Sequence, residues 1–108
     1  MLGARRYLYV AFMCQQAIEK MLKAAIVESG GEILRTHNLV RLAELAGAYS
    51  EMSDDYRDFL ADLTPFAIEA RYGDYRSKLS EIIDAKKAGK YLIKAKKVYQ
   101  WLRKRIKK

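Results

Sequence analysis

At 108 residues, about half of them hydrophobic, with one proline and six glycines, the chain has the size of one domain spanning 1–108 and none of the bias of disordered or low-complexity sequence. Its formal charge of +8 is held unevenly: residues 1–84 carry 10 Lys and Arg against 13 Asp and Glu, whereas residues 85–108 carry 11 Lys and Arg and no acid. One cysteine, Cys14, excludes an internal disulfide and fits a reducing compartment, and with His37 the sole histidine no Cys/His zinc set can be assembled, so neither metal nor other cofactor is expected.

The first helix is predicted from Ala4 to Ser29, closed by Gly30 and Gly31. At 100° per residue Leu8, Ala11, Phe12, Cys14, Ile18, Leu22, Ala25 and Ile26 form a broad apolar arc, with Gln15 inside it and Glu19 at its edge. Val10, Met13, Ala17, Ala24 and Val27 add a second, weaker strip, the pattern of a helix with neighbours on two sides or with another subunit against it. The longest uncharged run, Tyr7–Ile18, is too short to cross a bilayer, and no cleavable leader is recognisable, so a cytoplasmic protein without membrane contact is expected.

A short second helix is predicted over Asn38–Ala46, ended by Gly47. Ser53 is placed to cap a third, with Asp54 and Asp55 at the positive end of its dipole. Tyr56, Phe59, Leu60, Leu63, Phe66, Ala67 and Ala70 keep one phase through Pro65, which predicts two nearly collinear segments. The last helix, with Ser80 as candidate cap, places Ala85, Ala88, Leu92, Ala95, Tyr99, Leu102 and Ile106 at alternating spacings of three and four, the seam of a helical bundle. The fold class expected is all-α, an up-and-down bundle of four to five helices.

Three features carry candidate chemistry. Lys86, Lys90, Lys94, Lys97, Lys104 and Lys108 line the outer face of the last helix with Trp101 among them, a pattern that fits phosphate contacts beside one stacking surface and equally fits a solvated face. Gln15, Gln16, Glu19 and Lys20 sit on the first helix, and a buried amide or carboxylate there needs partners; Arg71 is the candidate to reach Glu19. His37, at the start of the second helix, reads as a capping or packing residue rather than a catalytic one. No glycine-rich phosphate loop is present.

The segments "QQAIEKMLKA", "RTHNLVRLAE" and "EARYGDY", in that order, resemble the HEPN domain family, and in particular prokaryotic single-domain members with a Gln-Gln-Ala-x-Glu-Lys helix, a His-x-Leu start to the next helix and an Arg-Tyr-Pro-Asp turn. Gly73 stands where those members have proline, which still permits a tight turn. Family members have more helix before the Gln-Gln pair, so the chain is expected to start inside its first helix. The resemblance implies a homodimer working with a minimal nucleotidyltransferase protein in a toxin–antitoxin-like pair, with nucleotide or RNA as ligand.

The resemblance further implies that Arg71, Tyr72, Asp74, Tyr75 and Arg76 line a cleft near the dimer axis, the arginines as anion contacts and the tyrosines as stacking surfaces. Many HEPN proteins are metal-independent RNases marked by an arginine followed, after four to six residues, by a histidine. Here those positions after Arg71 are Arg76, Ser77 and Lys78, so the motif is absent and no catalytic residue is assigned. Two alternatives stand beside the non-catalytic reading: an endoribonuclease using Arg71 with Tyr75 as proton donor, and a structural interaction domain with Arg71 in a buried ion pair.

Overall fold

The computed structural model describes residues 2–32, 35–68 and 83–106. Four α-helices run through them: α1 (Leu2–Glu28), α2 (Leu39–Leu45), α3 (Asp54–Leu63) and α4 (Ala85–Ile106), with 3-10 turns at Tyr49–Glu51 and Thr64–Ile68. The architecture is the expected all-α bundle. Among the described residues no helix is long and apolar enough to cross a membrane.

The helix ends follow from local chemistry. Asn38 Oδ1 accepts from Val40 and Arg41 at the start of α2, and Ser53 Oγ from Tyr56 at the start of α3, each satisfying backbone donors that the helix itself leaves free. α1 and α2 both end with paired backbone bonds that close around a left-handed glycine: Gly30 to Val27 and Gly31 to Ile26 in one, Gly47 to Glu44 and Ala48 to Ala43 in the other. At Thr64-Pro65 the α-helical winding of α3 tightens to 3-10, because proline has no N–H to give to the preceding turn. Thr64 Oγ1 donates to Leu60 and accepts from Leu39, tying the end of α3 to the start of α2.

Leu8, Ala11, Ile18, Leu22 and Ile26 of α1 meet Leu39, Leu42 and Ala43 of α2, and Phe59, Leu60, Leu63 and Phe66 of the third segment, all buried. α1 and α4 make the most extensive helix pair. The seam of α4 differs from the expected one. The buried residues are Ala88, Tyr91, Ala95, Val98 and Leu102, whereas Ala85 and Leu92 are exposed and Tyr99 is half-buried. Tyr91 is drawn inward because its ring lies edge-on between Phe59 (5.7 Å) and Phe66 (5.8 Å). The helix starts at Ala85 rather than near Ser80, which lies outside the described residues; Asp84 caps it, its carboxylate accepting from the Lys87 amide at 2.8 Å and its carbonyl from Ala88.

Candidate functional site

Gln15 and Glu19 point from α1 into the core, 0% and 5% exposed, where an unpartnered polar group would be costly. A closed network satisfies them. Glu19 Oε1 accepts from Gln15 Nε2 and from His37 Nδ1, both at 2.9 Å, and Glu19 Oε2 from Lys23 Nζ at 3.0 Å. Gln15 Nε2 also donates to the His37 carbonyl (3.0 Å), and Gln16 Nε2 donates to Gln15 Oε1 (2.7 Å). Among the described residues no buried side-chain nitrogen or oxygen lacks a partner. Burial pushes the Glu19 carboxyl up, but the hydrogen bonds from Gln15, His37 and Lys23, with the charge of His37, outweigh it and hold the group below the usual carboxylate range.

His37 and Lys23 are the members of this network that the sequence did not nominate as site residues. Lys23 was legible as the i+4 partner of Glu19, whereas His37 is 18 residues from Glu19 and carried no spacing signal. Arg71, the expected partner of Glu19, lies outside the described residues, as do Tyr72, Asp74, Tyr75 and Arg76. Lys20 is exposed and takes no part in the network; with Gln16 it borders a hollow of about 460 Å³ beside Tyr99.

On the neighbouring flank of α1 lies an open groove of about 350 Å³. Tyr9, Val10, Met13 and Ala17 form one wall, Leu92, Lys96 and Tyr99 of α4 the other, and Cys14 and Ala95 lie at its floor. Tyr9, Met13 and Leu92 are 58%, 49% and 46% exposed, so much of their apolar surface is left uncovered by the described residues. This is the second apolar strip of α1, joined by the two α4 residues that the seam leaves out. Burial raises the Cys14 thiol.

The outer face of α4 divides in two. Lys86, Lys90, Lys97 and Lys104 are exposed. Lys94 is paired with Asp55 of α3 at 2.8 Å, and Trp101 is half-buried, its ring edge-on to Tyr56 (6.3 Å) with the Arg105 guanidinium 5.3 Å away over its face. Lys108 lies outside the described residues. Among the described residues no group of three or more His, Cys, Asp or Glu side chains is arranged to hold a metal ion.

A HEPN domain model matches residues 1–106. The chain belongs to the HEPN domain family. No curated protein and no solved structure matches it. Within this HEPN domain the Gln-Gln-Ala-x-Glu-Lys helix and the His-x-Leu segment meet in three dimensions, since Gln15, Glu19 and His37 are one hydrogen-bonded unit.

Proposed function

We propose that this HEPN domain acts as a homodimeric, nucleotide- or RNA-associated module that works with a minimal nucleotidyltransferase in a toxin–antitoxin-like pair. The observation that carries this reading is the apolar groove between α1 and α4. Exposed tyrosine, methionine and leucine side chains on two packed helices are the surface that a second copy would cover. The acid-free outer face of α4 supports the polyanion half of the proposal through Lys86, Lys90, Lys97 and Lys104. Arg71 and Arg76 are assigned as anion contacts, Tyr72 and Tyr75 as stacking surfaces and Asp74 as their neighbour in the turn, by family expectation.

Sedimentation at micromolar concentration tests the dimer: the wild type is expected to sediment as a dimer, and Met13→Glu and Leu92→Glu as folded monomers. A monomeric wild type would remove the groove from the argument. Titration with a single-stranded oligoribonucleotide at several salt concentrations tests the basic face. Each neutralised lysine among Lys90, Lys97 and Lys104 is expected to lower the slope of log affinity against log salt by roughly one. An unchanged slope would leave these lysines as solvated surface.

A further inference from the structure

One strongly exposed apolar side chain lies on the basic face rather than in the groove. Ile93 is 60% exposed, the most of any large hydrophobic side chain among the described residues. It sits in a hollow of about 310 Å³ between α3 and α4, lined with it by Asp55, Tyr56, Lys90, Lys94 and Lys97. A phosphate backbone makes no use of a branched aliphatic side chain. Bases stack on aromatic faces, but Tyr56, the ring in this wall, is half-buried and engaged edge-on with Trp101.

The hollow already holds a carboxylate. Asp55, in the first turn of α3, places Oδ1 2.8 Å from Lys94 Nζ, and the Lys94 ammonium also lies over the Phe59 ring at 6.0 Å. Among the described residues neither Lys90 nor Lys97 has an acid within ion-pair distance, so three ammonium groups share one carboxylate. Lys90 and Lys97 stand two turns apart on one face of α4, about 10 Å along its axis, with Ile93 between them. Three residues of extended chain also span about 10 Å. Two carboxylates at that separation, with an apolar side chain between them, complement the hollow in both charge and polarity.

We propose that this hollow is a docking site for an acidic segment of a protein partner, two carboxylates pairing with Lys90 and Lys97 and the apolar side chain between them seating on Ile93. Lys90 and Lys97 also belong to the face assigned above to polyanions. Ile93 and Asp55 are what tell the two uses apart, and the docking site stands whether or not that face binds RNA.

The full chain labelled with ¹⁵N, titrated with a blocked peptide containing Glu-Leu-Ser-Glu, should show saturable shifts at the Lys90, Ile93 and Lys97 amides. Analogues with Gln-Leu-Ser-Gln and Glu-Ser-Ser-Glu should each bind roughly threefold or more weakly, the first having lost the ion pairs and the second the apolar contact. Ile93→Ser should weaken the Glu-Leu-Ser-Glu peptide by roughly threefold and leave the affinity for a single-stranded oligoribonucleotide unchanged. Asp55→Asn, at an exposed position, releases Lys94 as a third cation and should tighten the peptide by roughly threefold, a gain that a misfolded variant cannot produce. Unmoved amides at the three positions, an analogue that binds as tightly as the parent peptide, or no gain in Asp55→Asn would each overturn the site. So would a loss in Ile93→Ser shared equally by the oligoribonucleotide, which would assign Ile93 to nucleic acid.

Discussion

Replacing Glu19 by glutamine tests the polar network most directly. The carboxylate takes three donors: Gln15 and His37 on Oε1, and Lys23 on Oε2. Glutamine keeps one acceptor oxygen and substitutes an NH₂ for the other, so one donor must lose its partner or face another donor. Lys23 and His37 side chains are 26% and 57% exposed and can return to water, which discounts their share. Gln15 is fully buried and cannot, and an unsatisfied buried donor costs about 1–3 kcal/mol. A net loss of about 1–2 kcal/mol is expected, or about 5–15 °C in Tm for a domain of this size. The pH dependence has a definite sign. Glu19 is held below its unfolded value, so its contribution is complete above about pH 4.3 and is lost as pH falls through the folded value. Thermal unfolding followed by circular dichroism should show the gap between wild type and Glu19→Gln at pH 7 closing as pH drops below about 4.3. A gap at pH 7 under about 2 °C, or one undiminished at low pH, would refute the assignment of the carboxylate as the centre of the network.

Two further outcomes follow from the core. Phe66 is fully buried against Tyr91, so Phe66→Ala should cost about 3–5 kcal/mol in urea unfolding, and a loss under about 1 kcal/mol would mean the site collapses freely. Cys14 is 4% exposed at the groove floor and its thiol is raised by burial, so a disulfide reagent at pH 8 should react slowly with the native protein and rapidly in denaturant.

The caps supplied by Asn38 and Asp84 were missed, since His37 and Ser80 nearby also read as caps on sequence alone. The ends set by Ser53, Gly30 and Gly47 were legible in the sequence, because each acts through groups within a few residues and the local pattern contains the whole cause. The rotation of α4 was not legible for the opposite reason. Tyr91 and Leu92 are adjacent apolar residues, as are Val98 and Tyr99, and spacings of three and four accommodate either member of each pair. The choice is made by Phe59 and Phe66, which receive the Tyr91 ring and belong to a different part of the chain. The site divides in the same way. Gln15 and Glu19 stood out as polar residues within an apolar arc, but their partner His37 is supplied by tertiary folding, and no local spacing announces it.

That rotation also determines how the surfaces of α4 are arranged. At 100° per residue, Leu92, Lys96 and Tyr99 lie about 90° round α4 from its buried seam, on the side of α1, and complete the groove. Lys94, Trp101 and Arg105 lie on the other side of the seam, where Asp55, Tyr56 and Glu51 hold them. Lys86, Lys90, Lys97 and Lys104 fall between these flanks, about 140° from the seam, and are exposed, with Lys90 and Lys97 bordering a hollow shared with Asp55 and Tyr56 of α3. A second copy seated in the groove would cover the first set and leave the last open to solvent. Had the expected seam been right, Leu92 and Tyr99 would be core, and the groove would lose most of its α4 wall. The rotation of α4 by roughly 50°, half a residue, is therefore what lets a single helix present a core seam, an apolar groove and a basic face. It also means that groove substitutions and lysine substitutions report on different surfaces.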